Sequence, residues 1–371
     1  MKLFSDRYLA DLLVRSRTPE FAPACDRLRA EVASLEAMGL SVPEVSAGYF
    51  HDYFCPEHAV ALTWAPHSPK AHRCPVDGEV FAGQPFDGAW LWPVNTSLSR
   101  GAFKSALLWR MDGGEAHRRR AEAILTGYAS RYASYTVLRQ GMRLQGRCCY
   151  HSLDESVWLI PLAQAYDLIR ESLDAPDQIA DDLLIPAAEH IATQQLHQIH
   201  NIECWHHAAM GTVGVCLDRP DFIDLAVNSR YGFWRQLEEG VRPDGFWYEG
   251  STSYHFYTVA AMTALATSAA AAGLELHRAE RLRRMFQAPV EYAYPDLNMP
   301  AMNDCWYFTT LLGECCHNTP DAAGFYEVGC AWYGEAFEWI LEANYQGRRR
   351  DALEALLYGK AGVGRNPKPE T

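Results

Sequence analysis

Residues 243–257 read PDGFWYEGSTSYHFY. Pro243 sets φ and Gly245 permits a positive φ, so the stretch opens as a turn. Ser251, Thr252 and Ser253 then offer N-caps. Tyr254, Tyr257 and Val259 follow in a helix, with Tyr254 in its first turn. Outward from this stretch the same pattern repeats. Apolar residues recur every three or four positions over 102–112, 115–133, 155–173, 176–210, 219–238, 254–273, 277–292 and 321–346, with loops of Gly, Pro and Asp between them. There is no βαβ alternation, no Gly-rich phosphate loop and no sharp repeat. The expected fold is all-α: an incomplete α/α toroid (barrel) of antiparallel helix pairs. An irregular α-solenoid is the rival.

The N-terminal part differs. Residues 4–38 read as two helices parted at Thr18–Pro19. Residues 42–100 hold Pro43, Pro56, Pro66, Pro69, Pro75, Pro85 and Pro93 and lose helical periodicity, so loops and short strands are expected. The expected organisation is 1–98 for the N-terminal helices and this irregular Cys/His-containing segment, and 99–360 for the helical domain. Residues 361–371 form a Gly/Pro-rich linker.

The chain has 371 residues and a formal charge of −13, from 46 acidic and 33 basic side chains. That balance argues against nucleic acid and against anionic membrane surfaces. No run approaches the ~20 apolar residues of a membrane span. Asp6, Arg7 and Asp11 interrupt any secretory leader. The eleven cysteines are odd in number and include adjacent pairs at 148–149 and 315–316. That points to a reduced, cytoplasmic chain.

Two segments carry candidate chemistry besides the tyrosine turn. The first is Cys55-Pro-Glu-His58 with Cys74-Pro-Val-Asp77. Cys55, His58 and Cys74 have the look of a zinc knuckle, with Asp77 or His72 as a fourth ligand. Such a zinc would be structural; packing without metal is the alternative. The second is HQIHNIECWHHAAMG, residues 197–211. On a continuous helix His197, His200, Asn201, Cys204 and His207 share one face, with Trp205, His206 and Glu203 pointing off it. Metal binding, acid–base work and satisfied core histidines all remain open, although no HExxH pair is present. Tyr254 is likewise either a base favoured by the helix N-terminus or part of a buried aromatic cluster.

HNIECWHHAAMG followed by PDGFWYEGSTSYHFY resembles the paired motifs of the heparinase II/III-like polysaccharide lyases, in particular the oligo-alginate lyase branch. The segment Tyr150–Asp167 and the triplet Gly88-Ala-Trp90 resemble that group too, so the likeness spans roughly residues 50–310. It implies an α/α toroid and β-elimination at a uronic acid, with no metal or other cofactor in the chemistry. His200 and Asn201 would neutralise the substrate carboxylate, and Tyr254 would move the proton. Gln140, Arg143, His151, Trp205, His206, Tyr248, Glu249 and Asp304 would contact an anionic oligosaccharide. Members of the family continue into a C-terminal β-sheet domain, to which the tail would lead. Two rivals stand beside this reading. One is a glycoside hydrolase pairing Asp244 with Glu249 or Asp304. The other is a non-catalytic helical module that binds acidic sugars.

Overall fold

The computed structural model describes residues 1–137 and 143–362. The part of the expected linker beyond residue 362 lies outside the described residues. Helices dominate, and the only sheet among the described residues is a two-residue antiparallel pair, His72–Arg73 with Val80–Phe81. Among the described residues, no helix is long and apolar enough to cross a membrane. All eleven cysteines are unpaired.

The chain divides into two compact units that cut across the boundary expected at residue 98. The first holds Met1, Ala30–Leu196 and Cys216–Arg219; the second holds Lys2–Arg29, His197–Val215 and the chain from Pro220 onward.

In the first unit the helix Leu91–Asp112 packs on Glu115–Ala129 and on Ser152–Ile169. It starts eight residues before Ser99, where helix was expected. Gly113 ends it at φ 73, its N–H bonded to Trp109 O at 2.8 Å. The two-glycine connection makes the next helix an antiparallel neighbour. Ala106, Leu107, Leu125, Leu159 and Leu162 fill the interface at 0% exposure. Each such leucine contributes about 2 kcal/mol of burial. Glu155, also buried, collects the N–H groups of Arg147 (3.1 Å), Cys148 (3.3 Å) and Cys149 (2.7 Å) and the hydroxyl of Tyr132 (2.7 Å). A carboxylate without such donors would not stay in a core.

In the second unit Asn201–Cys216 and Thr252–Ala271 meet at a small residue. A Cβ on Gly211 would lie 2.3 Å from Leu265 Cδ1, so a larger residue there would push the Leu265 side chain aside. One position further on, Thr212 and Ser268 share a hydrogen bond at 2.9 Å. Ala322–Tyr333 packs on Glu338–Tyr345 and Leu353–Tyr358. The N-terminal helix Asp6–Ser16 joins this group, with Arg15 donating to the carbonyls of Leu356 (2.7 Å) and Leu357 (2.8 Å).

The long helix expected over 176–210 is not continuous. It breaks into Pro176–Ile179, a π-turn segment Ala180–Leu184 and Ile185–Thr193; a new helix then begins at Asn201. The backbone freed before Asn201 is met by side chains. Gln236 Oε1 accepts from His200 N–H at 3.2 Å and its amide donates to Gln198 O at 2.9 Å. Glu203 Oε1 accepts from His197 N–H at 3.3 Å, and His197 itself has φ 54.

Arg350 joins Glu327 through two hydrogen bonds of 2.6 Å and also pairs with Glu20. Glu327 is 1% exposed. Arg350→Ala would leave that carboxylate buried and uncompensated, so it should cost about 3–5 kcal/mol. Chemical denaturation of the variant measures this; a loss under 1 kcal/mol would contradict the assignment.

Candidate active site

Glu249 is the centre of the second unit's polar cluster. It follows the turn at Pro243, where Asp244 Oδ1 accepts from Phe246 N–H at 2.9 Å and Gly245 has φ 90. The buried Trp247 comes next and donates its indole N–H to Glu249 Oε2 at 2.7 Å. Asn201 Nδ2 lies 2.9 and 2.8 Å from the two carboxylate oxygens. His200 Nε2 is 3.5 Å from Glu249 Oε1. Tyr248 donates its hydroxyl to Ile199 O at 2.7 Å and so fastens the turn to the segment before Asn201. His200, Asn201, Tyr248 and Glu249 are thus brought together.

The hydrogen bonds assign the histidine. His200 Nδ1 accepts from Ile202 N–H at 3.2 Å. Nδ1 is therefore unprotonated, and the neutral ring carries its hydrogen on Nε2. Asn201 spends its amide hydrogens on Glu249. Its Oδ1 is buried and meets no donor among the described residues.

Tyr254 begins the helix Thr252–Ala271. Ser251 Oγ caps that helix, accepting from Tyr254 N–H at 3.2 Å, and donates to Asp304 O at 2.7 Å. The Asp304 carboxylate lies near enough to act on the tyrosine hydroxyl, and Glu249 adds further negative charge. Burial, then these charges, push its pKa up to about 12. This runs against the expectation that the helix N-terminus favours a tyrosinate: burial first, and then the neighbouring carboxylates, outweigh the partial charge of the helix end. Asn303 closes the loop over the turn, donating to Gly250 O at 3.0 Å. Trp306 and Phe308, stacked at 5.5 Å, and Tyr307 stand exposed next to Asp304 in sequence.

The histidine stripe does not form, because His197 precedes the helix. Cys204 is buried with its Sγ 3.7 Å from Gln236 Oε1. Glu203, expected off the stripe, is buried between His206 Nδ1 (3.5 Å) and His207 Nε2 (3.8 Å). Full burial takes His206 out of reach of a ligand. Trp205 is buried as well, its ring 5.0 Å from that of Tyr257. His255 is a core brace: Nδ1 accepts from Trp247 N–H at 3.0 Å, and Nε2 meets Met285 O at 2.8 Å.

Arg143 and His151 belong to the first unit. Arg143 is exposed and donates to Leu196 O at 3.2 Å; His151 caps Ser152–Ile169 through Leu153 N–H at 3.1 Å. Gln140 lies outside the described residues. Gln236 and Trp247 were not anticipated as site residues. Their only signal was position: one is a glutamine on an apolar helix face, the other sits two residues before a glutamate. The zinc-knuckle residues Cys55, His58 and Cys74 are in the first unit and converge there.

Residues 186–319 match the heparinase II/III N-terminus family. That heparinase II/III-type region contains every member of the cluster around Glu249 and Tyr254. The chain is also similar to an alginate lyase of Stenotrophomonas maltophilia, 31% identical over 153 residues, and to an exo-oligoalginate lyase of Saccharophagus degradans, 28% identical over 157 residues. These alignments cover 38% and 39% of the chain but only 21% of each relative. Among solved structures, an alginate lyase from Bacteroides ovatus aligns over 96% of the chain and 98% of its own length, with TM-score 0.64 and 11% identity. Heparinase III aligns over 88% of the chain and 54% of its own length, with TM-score 0.50 and 15% identity. These likenesses show the fold, the α/α-toroid class read from the sequence. The family resemblance carried by the two heparinase-type motifs holds.

Burial pushes the pKa values of His207 and His255 down to about 4. An unfolded histidine titrates near 6.5. Between these values the unfolded chain binds more protons, so stability falls as pH drops from about 6.5 to about 4, by up to about 3 kcal/mol per histidine. Thermal melts at pH 7.5 and 4.5 test this; a flat profile would contradict the neutral, buried assignment.

Proposed function

We propose that the chain is the helical part of a polysaccharide lyase that cleaves uronate-containing oligosaccharides by β-elimination. The observation that carries the reading is the cluster in which Glu249 holds Asn201 beside His200, on the turn that leads into the helix start bearing Tyr254. The match to the heparinase II/III N-terminus and the similarity to two alginate lyases support it.

In this reading His200 takes the substrate carboxylate. Its Nε2–H is a fixed donor, and hydrogen bonding there stabilises the enolate-like charge that forms when the C5 proton leaves. Asn201 is a positioning residue, because both its amide hydrogens face Glu249. Tyr254 starts as a phenol. The C5 proton passes to its oxygen while its own proton shifts onto Asp304. The C5–H electrons form the C4–C5 double bond as the C4–O bond breaks. The leaving oxygen then takes a proton from Tyr254, and Asp304 returns its proton to the tyrosine. Trp306 and Phe308 offer flat faces for sugar rings.

Glycoside hydrolysis fits less well. Glu249 has its oxygens occupied by Asn201 and Trp247, and Asp244 caps its own turn. Neither carboxylate is left to act as acid.

The test is a panel of alginate, heparan and hyaluronan oligomers, followed by the ultraviolet absorbance of the 4,5-unsaturated product. Tyr254→Phe should lower kcat about 1000-fold with little change in KM. Reducing ends appearing without absorbance would instead establish hydrolysis. Unchanged binding together with no turnover on any oligomer, by the parent and the variant alike, would establish a binding module. Glu249→Gln presents an amide donor to donors already in place. It should lower kcat about 100-fold and cost about 1–3 kcal/mol of stability. Parent-like kinetics in Glu249→Gln would remove Glu249 from the machinery.

A further inference from the structure

Two turns in the first unit follow the same plan. In the first, Cys55 N–H donates to Val60 O at 2.8 Å, and Ala59 N–H donates back to Cys55 O at 2.8 Å. In the second, Cys74 N–H donates to Glu79 O at 2.8 Å, and Gly78 N–H donates back to Cys74 O at 3.0 Å. The fifth residue of each turn has positive φ, 51 at Ala59 and 79 at Gly78. The first and fourth residues of the turns are Cys55 and His58 in one, Cys74 and Asp77 in the other. In addition, Val76 N–H points at Cys74 Sγ at 3.4 Å.

Three of the side chains converge, and Asp77 borders them on the His58 side. His58 Nδ1 lies 3.5 Å from Cys55 Sγ and 3.6 Å from Cys74 Sγ. Asp77 Oδ2 is 3.8 Å from the same nitrogen. The two sulfurs and the nitrogen are all within 4.8 Å of one another. Around a tetrahedral zinc, with Zn–S about 2.3 Å and Zn–N about 2.1 Å, neighbouring sulfur and nitrogen ligands stand about 3.6 Å apart. The observed spacing is that of a ligand set. His72, the other sequence candidate for the fourth ligand, is already engaged, with Tyr53 Oη at 2.9 Å on Nδ1 and Asp87 Oδ1 at 2.9 Å on Nε2.

We propose that Cys55, His58 and Cys74 hold one structural zinc ion, with Asp77 as its fourth ligand. Two thiolates and an imidazole suit zinc better than a hard cation. The surrounding segment also needs a crosslink. Its strands are two residues long, and a hairpin of that size is not stable by itself. A metal that binds only the folded turns would lend its binding energy to folding. The site is remote in sequence from the heparinase II/III-type cluster, so its test is independent of the lyase reading.

The full chain, purified under reducing conditions without chelator, should carry about one zinc that survives dialysis. Replacement by cobalt should give a thiolate charge-transfer band and the strong visible absorption of a tetrahedral site. Cys74→Ser should lose the metal, and Asp77→Ala should keep the fold and release zinc to a competing chelator at least about tenfold more readily. The melting temperature of the parent should fall on chelation and recover on adding zinc. Metal-free protein with free thiols and no cobalt band would overturn the proposal, as would a Cys55–Cys74 disulfide found by mass spectrometry. Parent-like zinc release from Asp77→Ala would overturn the place of Asp77.

Discussion

Glu249 places a carboxylate between the indole N–H of Trp247 and the amide of Asn201, and the rest of the candidate site is arranged by that contact. Asn201 is the first residue of its helix, and Trp247 fills the core beneath the turn. The carboxylate therefore links a helix start to a loop. A partly buried charge of this kind must be fully hydrogen-bonded to persist. Once it is, it fixes the rotamers of everything that donates to it. His200 gains its orientation from the same corner, through the Ile202 N–H on one side of the ring and Glu249 on the other.

Rigid elements carry this arrangement. The helix bearing Asn201 and the helix bearing Tyr254 touch where Gly211 lacks a side chain. His255, one residue after Tyr254, braces the turn from below through Trp247 N–H. The buried pair of His206 and His207 around Glu203 belongs to the same support. What looks in sequence like a cluster of ligands is mostly scaffold, and the proposed chemistry falls to the few residues at helix starts.

Much of this was legible in the chain. Helical periodicity located nearly every helix, because apolar faces recur wherever a core must be filled. The turn at Pro243 and the cap at Ser251 were readable from local chemistry. The break before Asn201 was not: its backbone groups are satisfied by Gln236, a side chain 36 residues on, and no local signal records a distant partner. The effect of Asp304 on Tyr254 was hidden for the same reason. The helix-end argument was sound locally and lost to burial, helped by a carboxylate fifty residues away in sequence. The zinc-like spacing was visible, but only the matched turns favour Asp77, rather than His72, as the fourth ligand of the proposed zinc.

The helix Asp6–Ser16 is held by the helix Leu353–Tyr358. Arg15 binds the carbonyl of Leu356 across 341 residues of sequence. Ribosomes add about 5–20 residues per second, so Asp6–Ser16 emerges on the order of 20–70 s before its partner exists. Through that interval its apolar face has no native surface to cover it. The second unit therefore cannot close from the N-terminus as it is made; it must wait until Leu353–Tyr358 has been synthesised.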